Sequence, residues 1–155
     1  PVFVVMTANN VEILPAEFLR KGRLDELFFV HLPTQSERQQ IFQVHLNRLR
    51  PERDDFDVEL LASRSKDFSG AEIEQVIYEA MQNGFSRNEE FTIGDLLDAI
   101  ATCVPLAKIA SHQIEALKDW ASRSGAKSAS LSPDLDNNLL PLLEVDYQEN
   151  YEQIN

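Results

Sequence analysis

The sequence has little cysteine and no long apolar run. Cys103 is its one cysteine, so an internal disulfide is excluded, as is usual for proteins of a reducing compartment. No apolar stretch approaches the roughly 18 residues that a membrane-spanning helix needs, and no signal peptide is recognisable. We therefore expect a cytoplasmic protein that does not enter a membrane.

Basic residues are also scarce, which limits the kinds of partner. The 155 residues include 26 acidic and 14 basic ones, for a net charge of −12. A general nucleic-acid binder presents a basic face to the phosphate backbone, so the charge argues against nucleic acid as a partner. The three histidines, His31, His45 and His112, have no metal-ligand spacing, and no metal site is predicted.

The first part of the sequence predicts two apolar strands that flank a short helix. Pro1–Met6 is a β-branched and aromatic run, typical of a largely buried strand, and it ends in a polar corner that contains Asn9. One or two helical turns fit residues 14–19, and Gly22 permits a sharp exit. Leu27–Leu32 is the second strand. The sequence begins inside a strand-like run without an initiator Met, so we expect a piece of a longer protein.

Helices and a polar tail follow the second strand. Three capping boxes, in which a hydroxyl residue precedes an acid by three positions, mark helix starts at Thr34–Glu37, Ser69–Glu72 and Thr92–Asp95. A further helix is predicted to follow Asp57, and a last amphipathic helix spans Ile109–Ser124. Residues 126–155 are rich in Ser, Asp, Asn and Glu, with Lys127 as their one base, and predict a flexible tail. The apolar cluster Leu139–Leu143 in that tail is either a docking segment or a loosely packed stretch.

The polar corner and the following segment, Thr-Ala-Asn-Asn and then Leu-Pro-Ala-Glu-Phe-Leu-Arg-Lys-Gly-Arg-Leu-Asp, resemble the second region of homology of AAA ATPases. The resemblance covers about Pro1 to Gly125. It implies the α/β end of a P-loop NTPase (AAA) domain over residues 1–50 and an α-helical lid bundle over 51–125, and the composition adds a disordered acidic tail over 126–155. The segments Val104–Ala107 and Ile114–Ala121 are similar to an AAA branch of cyanobacteria and plastids, which implies the plastid stroma in a plastid-bearing organism.

Three residues near the start are candidates for chemistry. From the residues alone, Asn9 suits a turn, and Arg20 and Arg23 suit surface ion pairs with Asp25 or Glu26. The resemblance implies instead that Asn9 is the sensor that orients the attacking water. It also implies that Arg20 and Arg23 are arginine fingers, which reach the ATP site of a neighbouring subunit.

Gly70 and Ala71 begin the helix that Ser69 caps. A small pair at a helix N-terminus lets a ligand approach free N–H groups, although an ordinary capped helix explains the same residues. The resemblance implies that Gly70 and Ala71 line the adenine and ribose side of the nucleotide site. The implied cofactors are ATP and Mg²⁺, with the Mg²⁺ ligands upstream of Pro1.

The resemblance implies that this chain is the C-terminal portion of an AAA ATPase. The parent protein would form a ring of identical subunits, with six the expected number, and would couple ATP hydrolysis to remodelling of a protein partner. The chain has no Gly-x-x-x-x-Gly-Lys-[Ser/Thr] segment and no apolar strand that ends in Asp-Glu. Because it lacks both the Walker A and Walker B motifs, it should be inactive alone. The alternative is a non-catalytic helical protein-interaction module.

Overall fold

The structure, a computed structural model, describes residues 2–11, 13, 15, 17 and 22–130. Helices predominate within these residues, and one pair of short strands lies beside them, formed by residues 28–29 and 127–128. The elements in chain order are β1 (Phe28–Phe29), α1 (Gln35–Leu49), α2 (Val58–Arg64), α3 (Gly70–Ser86), α4 (Ile93–Thr102), α5 (Leu106–Ile109), α6 (Ser111–Ser124) and β2 (Lys127–Ser128). None of the helices in these described ranges is long and apolar enough to span a membrane.

Local sequence signals set the starts of the first four helices. All three predicted capping boxes are confirmed, because the hydroxyls of Thr34, Ser69 and Thr92 each accept from a backbone N–H three residues on, and the acid there accepts from the cap N–H. The carboxylate of Asp57 caps α2 by accepting from the N–H of Leu60 at 2.9 Å. Each contact satisfies donors that the first helical turn leaves unpaired.

Helices α1 to α4 form the hydrophobic core. Helix α3 packs against α1 and α4, and α2 packs against α1 and α4. The largest fully buried side chains include Phe42 from α1, Leu61 from α2, Ile73 from α3, Leu96 from α4 and Phe91 from the loop before α4. The helical spacing predicted most of these faces, but the Val44 side chain, which the spacing placed with the core-facing residues of α1, is 64% exposed.

The predicted last helix, Ile109–Ser124, is found as α6, Ser111–Ser124. A short helix that the sequence did not predict, α5, precedes it, and a break at Ala110 separates the two. Helix α6 turns Ala121 into the protein and leaves Ile114, Leu117 and Trp120 partly buried. Gly125 ends α6 with a φ of +74°, in the left-handed region that favours glycine.

The strands differ from the expectation in two ways. Phe28–Phe29 is shorter than the predicted second strand, and it pairs in parallel with Lys127–Ser128. Hydrogen bonds of 2.9 Å join the Lys127 N–H to the Leu27 carbonyl and the Ala129 N–H to the Phe29 carbonyl. The segment expected to begin a flexible tail therefore opens with a strand, since the edge of β1 offers it carbonyl acceptors. The rest of the tail, residues 131–155, lies outside the described residues.

The first predicted strand is not found over Val2–Met6. These residues belong to no strand, and the side chains of Val2 and Phe3 are 90% and 93% exposed. The expectation of a largely buried strand is wrong here for a physical reason: an apolar strand is buried by neighbouring strands, and within the described residues none lies beside this one.

Candidate functional site

The candidate residues near the start of the chain are exposed. Asn9 lies at a bend and is exposed, and Arg23 follows Gly22, whose φ of +88° makes the sharp exit that the sequence predicted. Among the described residues, Arg23 has no hydrogen bond or ion pair. The Glu26 carboxylate pairs with the ammonium group of Lys127 at 2.7 Å instead. The guanidinium of Arg23 is therefore available to a partner, whereas Arg20 lies outside the described residues.

The turn that opens α3 is partly open to solvent. Gly70 is half-buried and Ala71 is exposed. A Cβ built on Gly70 would have Ile41 Cδ1 as its nearest neighbour, at an ordinary contact distance of 3.8 Å. The packing of the bundle therefore does not require glycine at position 70, and the small residue leaves room on the solvent side of the turn.

Glu72 uses both carboxylate oxygens to hold this turn. Its Oε2 accepts from the N–H and the hydroxyl of Ser69, each at 2.7 Å. Its Oε1 accepts from the N–H of Leu106 at 2.6 Å. Partial burial opposes ionisation of Glu72, but these donors outweigh it and hold the pKa of the carboxyl below its ordinary value. The turn at Ser69 is thus fixed to the start of α5.

The corresponding turn at the start of α1 has a similar arrangement. The Oε2 of Glu37 accepts from the N–H of Thr34 at 2.7 Å, and the Thr34 hydroxyl accepts from the N–H of Glu37 at 3.3 Å. Burial again opposes ionisation, while the Thr34 donors, the nearby Ser130 hydroxyl and His31 lower the pKa of Glu37. Glu37 thus fixes the turn at which the chain passes from β1 into the helical bundle.

Arg38 stabilises the same junction from inside. Its guanidinium donates to the Pro33 carbonyl at 2.8 Å and to the Ala62 carbonyl at 3.0 and 3.2 Å. The side chain is buried, with 7% of the residue exposed. Burial lowers the pKa of Arg38, and Asp67 opposes that effect, but arginine stays charged because its ordinary pKa is so high. Arg38 thus ties the beginning of α1 to the end of α2.

These caps, turns and packed helices match a known type of domain. A family model described as the AAA+ lid domain matches residues 55–98. The chain belongs to the AAA family. The matched residues comprise α2, α3 and the first half of α4, and they include the Gly70–Ala71 turn.

Curated relatives extend this likeness beyond the AAA lid. The chain is 52% identical over 131 residues to the AAA domain-containing protein ycf46 of Guillardia theta, an alignment that covers 84% of the chain and 26% of the relative. It is 47% identical over 133 residues to the ycf46 protein of Pyropia yezoensis, covering 85% of the chain and 27% of the relative. The proteasome-activating nucleotidase of Saccharolobus islandicus is 38% identical over 101 residues, with coverages of 64% and 25%. The chain thus spans about a quarter of the length of these AAA relatives.

Two grooves on the AAA lid bundle lie apart from the candidate residues. One of about 410 Å³ lies beside Phe91, and its lining includes Arg50, Tyr78, Met81, Phe85 and Glu90. The other, of about 370 Å³, lies beside Phe56 and includes Gln43, Asn47, Arg53 and Asp54 in its lining. Neither groove is lined by Asn9, Arg23, Gly70 or Ala71.

The described residues offer little chemistry of their own. Within the described ranges, no group of three His, Cys, Asp or Glu side chains is placed to hold a metal ion. Burial, together with the nearby Glu72 and Glu79, raises the pKa of the Cys103 thiol, so the thiolate that a nucleophile requires is disfavoured. The structure brings Ser69, Gly70, Ala71 and Glu72 into one turn and leaves Arg23 exposed on a separate segment.

Sequence reasoning missed three of the contacts around these turns. The hydrogen bonds from Leu106 to Glu72 and from Arg38 to Ala62 each join residues far apart in the chain. The strand pairing of Phe28 with Lys127 joins still more distant residues. No local pattern encodes such pairs.

Proposed function

We propose that this chain is the C-terminal portion of an AAA ATPase, whose ATP hydrolysis drives remodelling of a protein partner. The observation that carries the proposal is the AAA+ lid over residues 55–98, preceded on the same chain by the exposed Arg23. The length of the relatives supports it, since the chain covers 26% of the Guillardia theta protein. The remaining parts of the ATP site, including the Walker A and B motifs, would come from the rest of the longer protein.

In this proposal Arg23 and Arg20 act on the ATP site of a neighbouring subunit. A guanidinium presents a rigid set of donors that suits phosphate oxygens and keeps its charge at any physiological pH. Arg23 is exposed and has no hydrogen bond or ion pair within the described part of the chain, so it has no competing partner there. A finger that acts in trans needs a neighbour for every site, which a closed ring provides, and we propose six subunits.

In this proposal the turn at the start of α3 contacts the nucleotide. The free N–H groups of a helix N-terminus, together with the helix dipole, favour anionic groups. The small Gly70 and the exposed Ala71 leave space for a ligand to approach that backbone, and the resemblance to AAA ATPases assigns them the adenine and ribose side of ATP. Asn9, with both a donor and an acceptor on its amide, would orient the attacking water. No cluster of side chains that could hold a metal ion is found within the described residues, and the Mg²⁺ ligands would come from the part of the longer protein upstream of this chain.

One observation favours the second candidate, a non-catalytic helical module that binds a protein. The groove of about 410 Å³ has Phe85 on its lining, and the Phe85 side chain is 82% exposed. Exposed aromatic side chains are common where a protein surface meets a partner. This function needs no nucleotide, so an assay of ATP turnover separates the two candidates.

The test replaces Arg23 by Ala in the full-length protein and measures ATP binding and steady-state hydrolysis. Loss of a trans-acting arginine should reduce turnover by roughly 10³–10⁵-fold while ATP binding is retained. The control is Arg64→Ala, because Arg64 is also an exposed arginine without a partner among the described residues. Undiminished hydrolysis by Arg23→Ala removes the finger assignment, and no turnover by the wild type favours the non-catalytic module.

A further inference from the structure

The end of the described chain forms a segment that is held mainly at its two ends. We define residues 105–130, which comprise α5, α6 and β2, as the C-terminal strap. Between its ends the strap packs loosely, because most side chains of α6 are exposed or only partly buried, with Ala121 the exception. The strap's position is therefore determined by the contacts at its first and last residues.

The first anchor of the strap is the Glu72 carboxylate. The N–H of Leu106 donates to Oε1 at 2.6 Å, while Oε2 of the same group holds Ser69. Hydrogen bonds from N–H groups to a carboxylate are short and stronger than those between neutral groups. One side chain therefore fixes the strap and the turn that contains Gly70 and Ala71 to each other.

The second anchor of the strap is at the junction of β1 and α1. The strap pairs with β1 through the N–H groups of Lys127 and Ala129, each at 2.9 Å from a carbonyl of the 27–29 segment. The Lys127 ammonium adds an ion pair of 2.7 Å with Glu26. The far end of the strap is thus held by two backbone hydrogen bonds and one ion pair, and its near end by an acid that caps α3.

This arrangement connects the α3 turn with β1 by a route that does not pass through α1 and α2. We infer that Glu72 is a positioning residue for the nucleotide. Its carboxylate holds the Gly70–Ala71 backbone in a fixed position relative to the docked strap. Strap docking and nucleotide binding therefore stabilise each other. The inference rests on the proposed function, in which that turn binds ATP. By thermodynamic linkage, whatever factor the docked strap adds to nucleotide affinity, bound nucleotide adds to strap docking.

The variant Leu106→Pro in the full-length protein removes the N–H that donates to Glu72, together with the leucine side chain. Proline is well tolerated at the first position of a helix, which Leu106 occupies in α5. The preceding Pro105 has a ψ of 137°, in the extended region that a following proline requires. The Leu106 side chain is 59% exposed, so its loss is a small perturbation. The matched control is Leu106→Ala, which loses the side chain but keeps the N–H.

Two quantities are measured for each variant: the Kd of a slowly hydrolysed ATP analogue, and the amide hydrogen exchange of Lys127 and Ala129. Leu106→Pro should raise the Kd by about threefold to tenfold, and it should speed exchange at both amides. Leu106→Ala should match the wild type in both, and saturating nucleotide should slow exchange in the wild type. Glu72→Gln keeps one acceptor oxygen, which preserves the cap at Ser69, but its amide nitrogen cannot accept from the Leu106 N–H. This variant should therefore behave as Leu106→Pro does in both measurements.

The outcomes separate this inference from the proposed function. If the wild type binds the analogue and Leu106→Pro behaves as Leu106→Ala does in both measurements, the inference is wrong and the proposed function stands. If Leu106→Pro weakens binding without changing exchange at Lys127, Glu72 acts on the turn alone and the coupling to the strap is refuted. If the wild type binds no nucleotide, the proposed function fails, and this inference fails with it.

Discussion

Gly84 is the glycine whose replacement should damage the helical bundle most. It is buried in the last turn of α3, where the chain turns toward α4. A Cβ at this position would lie 2.7 Å from the Phe91 nitrogen, 2.9 Å from the Glu89 carbonyl oxygen and 2.9 Å from the Phe91 Cα. All three atoms belong to the backbone, so no side-chain rotation relieves the overlap, and Gly84→Ala must displace the loop.

The cost follows from what that displacement moves. The Phe91 side chain is 1% exposed and stacks on Phe56 with ring centroids 5.2 Å apart. Overpacking a core destabilises a protein by about 1–3 kcal/mol. The better helix propensity of alanine offsets this loss of stability by up to about 1 kcal/mol. Because a fully buried aromatic ring must shift, we expect Gly84→Ala to lower the free energy of unfolding by about 2 kcal/mol.

Gly94 supplies the matched control. It lies in the first turn of α4, is exposed, and a Cβ there would have Thr92 Oγ1 as its nearest neighbour at 3.4 Å. Gly94→Ala should therefore raise the free energy of unfolding by about 0.5–1 kcal/mol. Urea unfolding followed by circular dichroism at the helix band measures both variants. The reasoning is refuted if Gly84→Ala unfolds at the wild-type midpoint, or if Gly94→Ala is the less stable variant.

Two further predictions concern buried charge and pH. Arg38→Met removes the guanidinium that donates to two backbone carbonyls and should lower the free energy of unfolding by about 2–4 kcal/mol. The control, Arg48→Met at an exposed position, should change the free energy of unfolding by less than about 0.5 kcal/mol. Equal urea midpoints for the two variants would contradict this prediction. The carboxyls of Glu37, Glu72 and Asp95 have pKa values below their ordinary ones in the folded protein. The unfolded chain therefore binds more protons in acid, and stability that is complete at neutral pH should fall progressively below about pH 5. Glu72→Gln should reduce that slope, and a pH titration of the urea midpoint that shows the same slope for both proteins would count against the assignment.

The sequence predicted those features that depend on neighbours a few residues apart. The capping boxes at Thr34, Ser69 and Thr92 were identifiable because a hydroxyl and an acid three positions on satisfy each other's backbone donors. The buried faces of α3 and α4 were identifiable because apolar residues recur at helical spacing. Gly22 was identifiable as a turn because glycine adopts positive φ values easily, and its φ in the structure is +88°.

The remaining features depend on residues distant in the chain. The pairing of Phe28–Phe29 with Lys127–Ser128 carries no sequence pattern, since two-residue strands show no alternation. Val2–Met6 has the composition of a buried strand, but its burial requires partner strands that the described residues do not supply. Gly84 did leave a signal, because a glycine inside a helical pattern is unfavourable unless another backbone approaches closely.

The candidate site was predicted from the motif, and the structure adds its surroundings. Arg23 is exposed and the Gly70–Ala71 turn is partly open to solvent, and the nucleotide-binding role of that turn stays a prediction. The second use of Glu72, its contact with Leu106, could not be read from a capping box, because the box accounts for one oxygen and leaves the other without an assigned partner. The roles of Asn9, Arg20 and Arg23 stay predictions until turnover is measured.

The most direct test of the central claim is a mixing experiment with two variants of the full-length protein. One is Arg23→Ala, and the other has the phosphate-binding lysine of its Walker A motif replaced by Ala. If Arg23 acts in trans, each variant alone is inactive, but in mixed rings the Arg23→Ala subunits have intact ATP sites that receive Arg23 from their neighbours. The account predicts that mixing restores part of the wild-type ATP turnover. Two variants that stay inactive after mixing, under conditions where they assemble together, would contradict it.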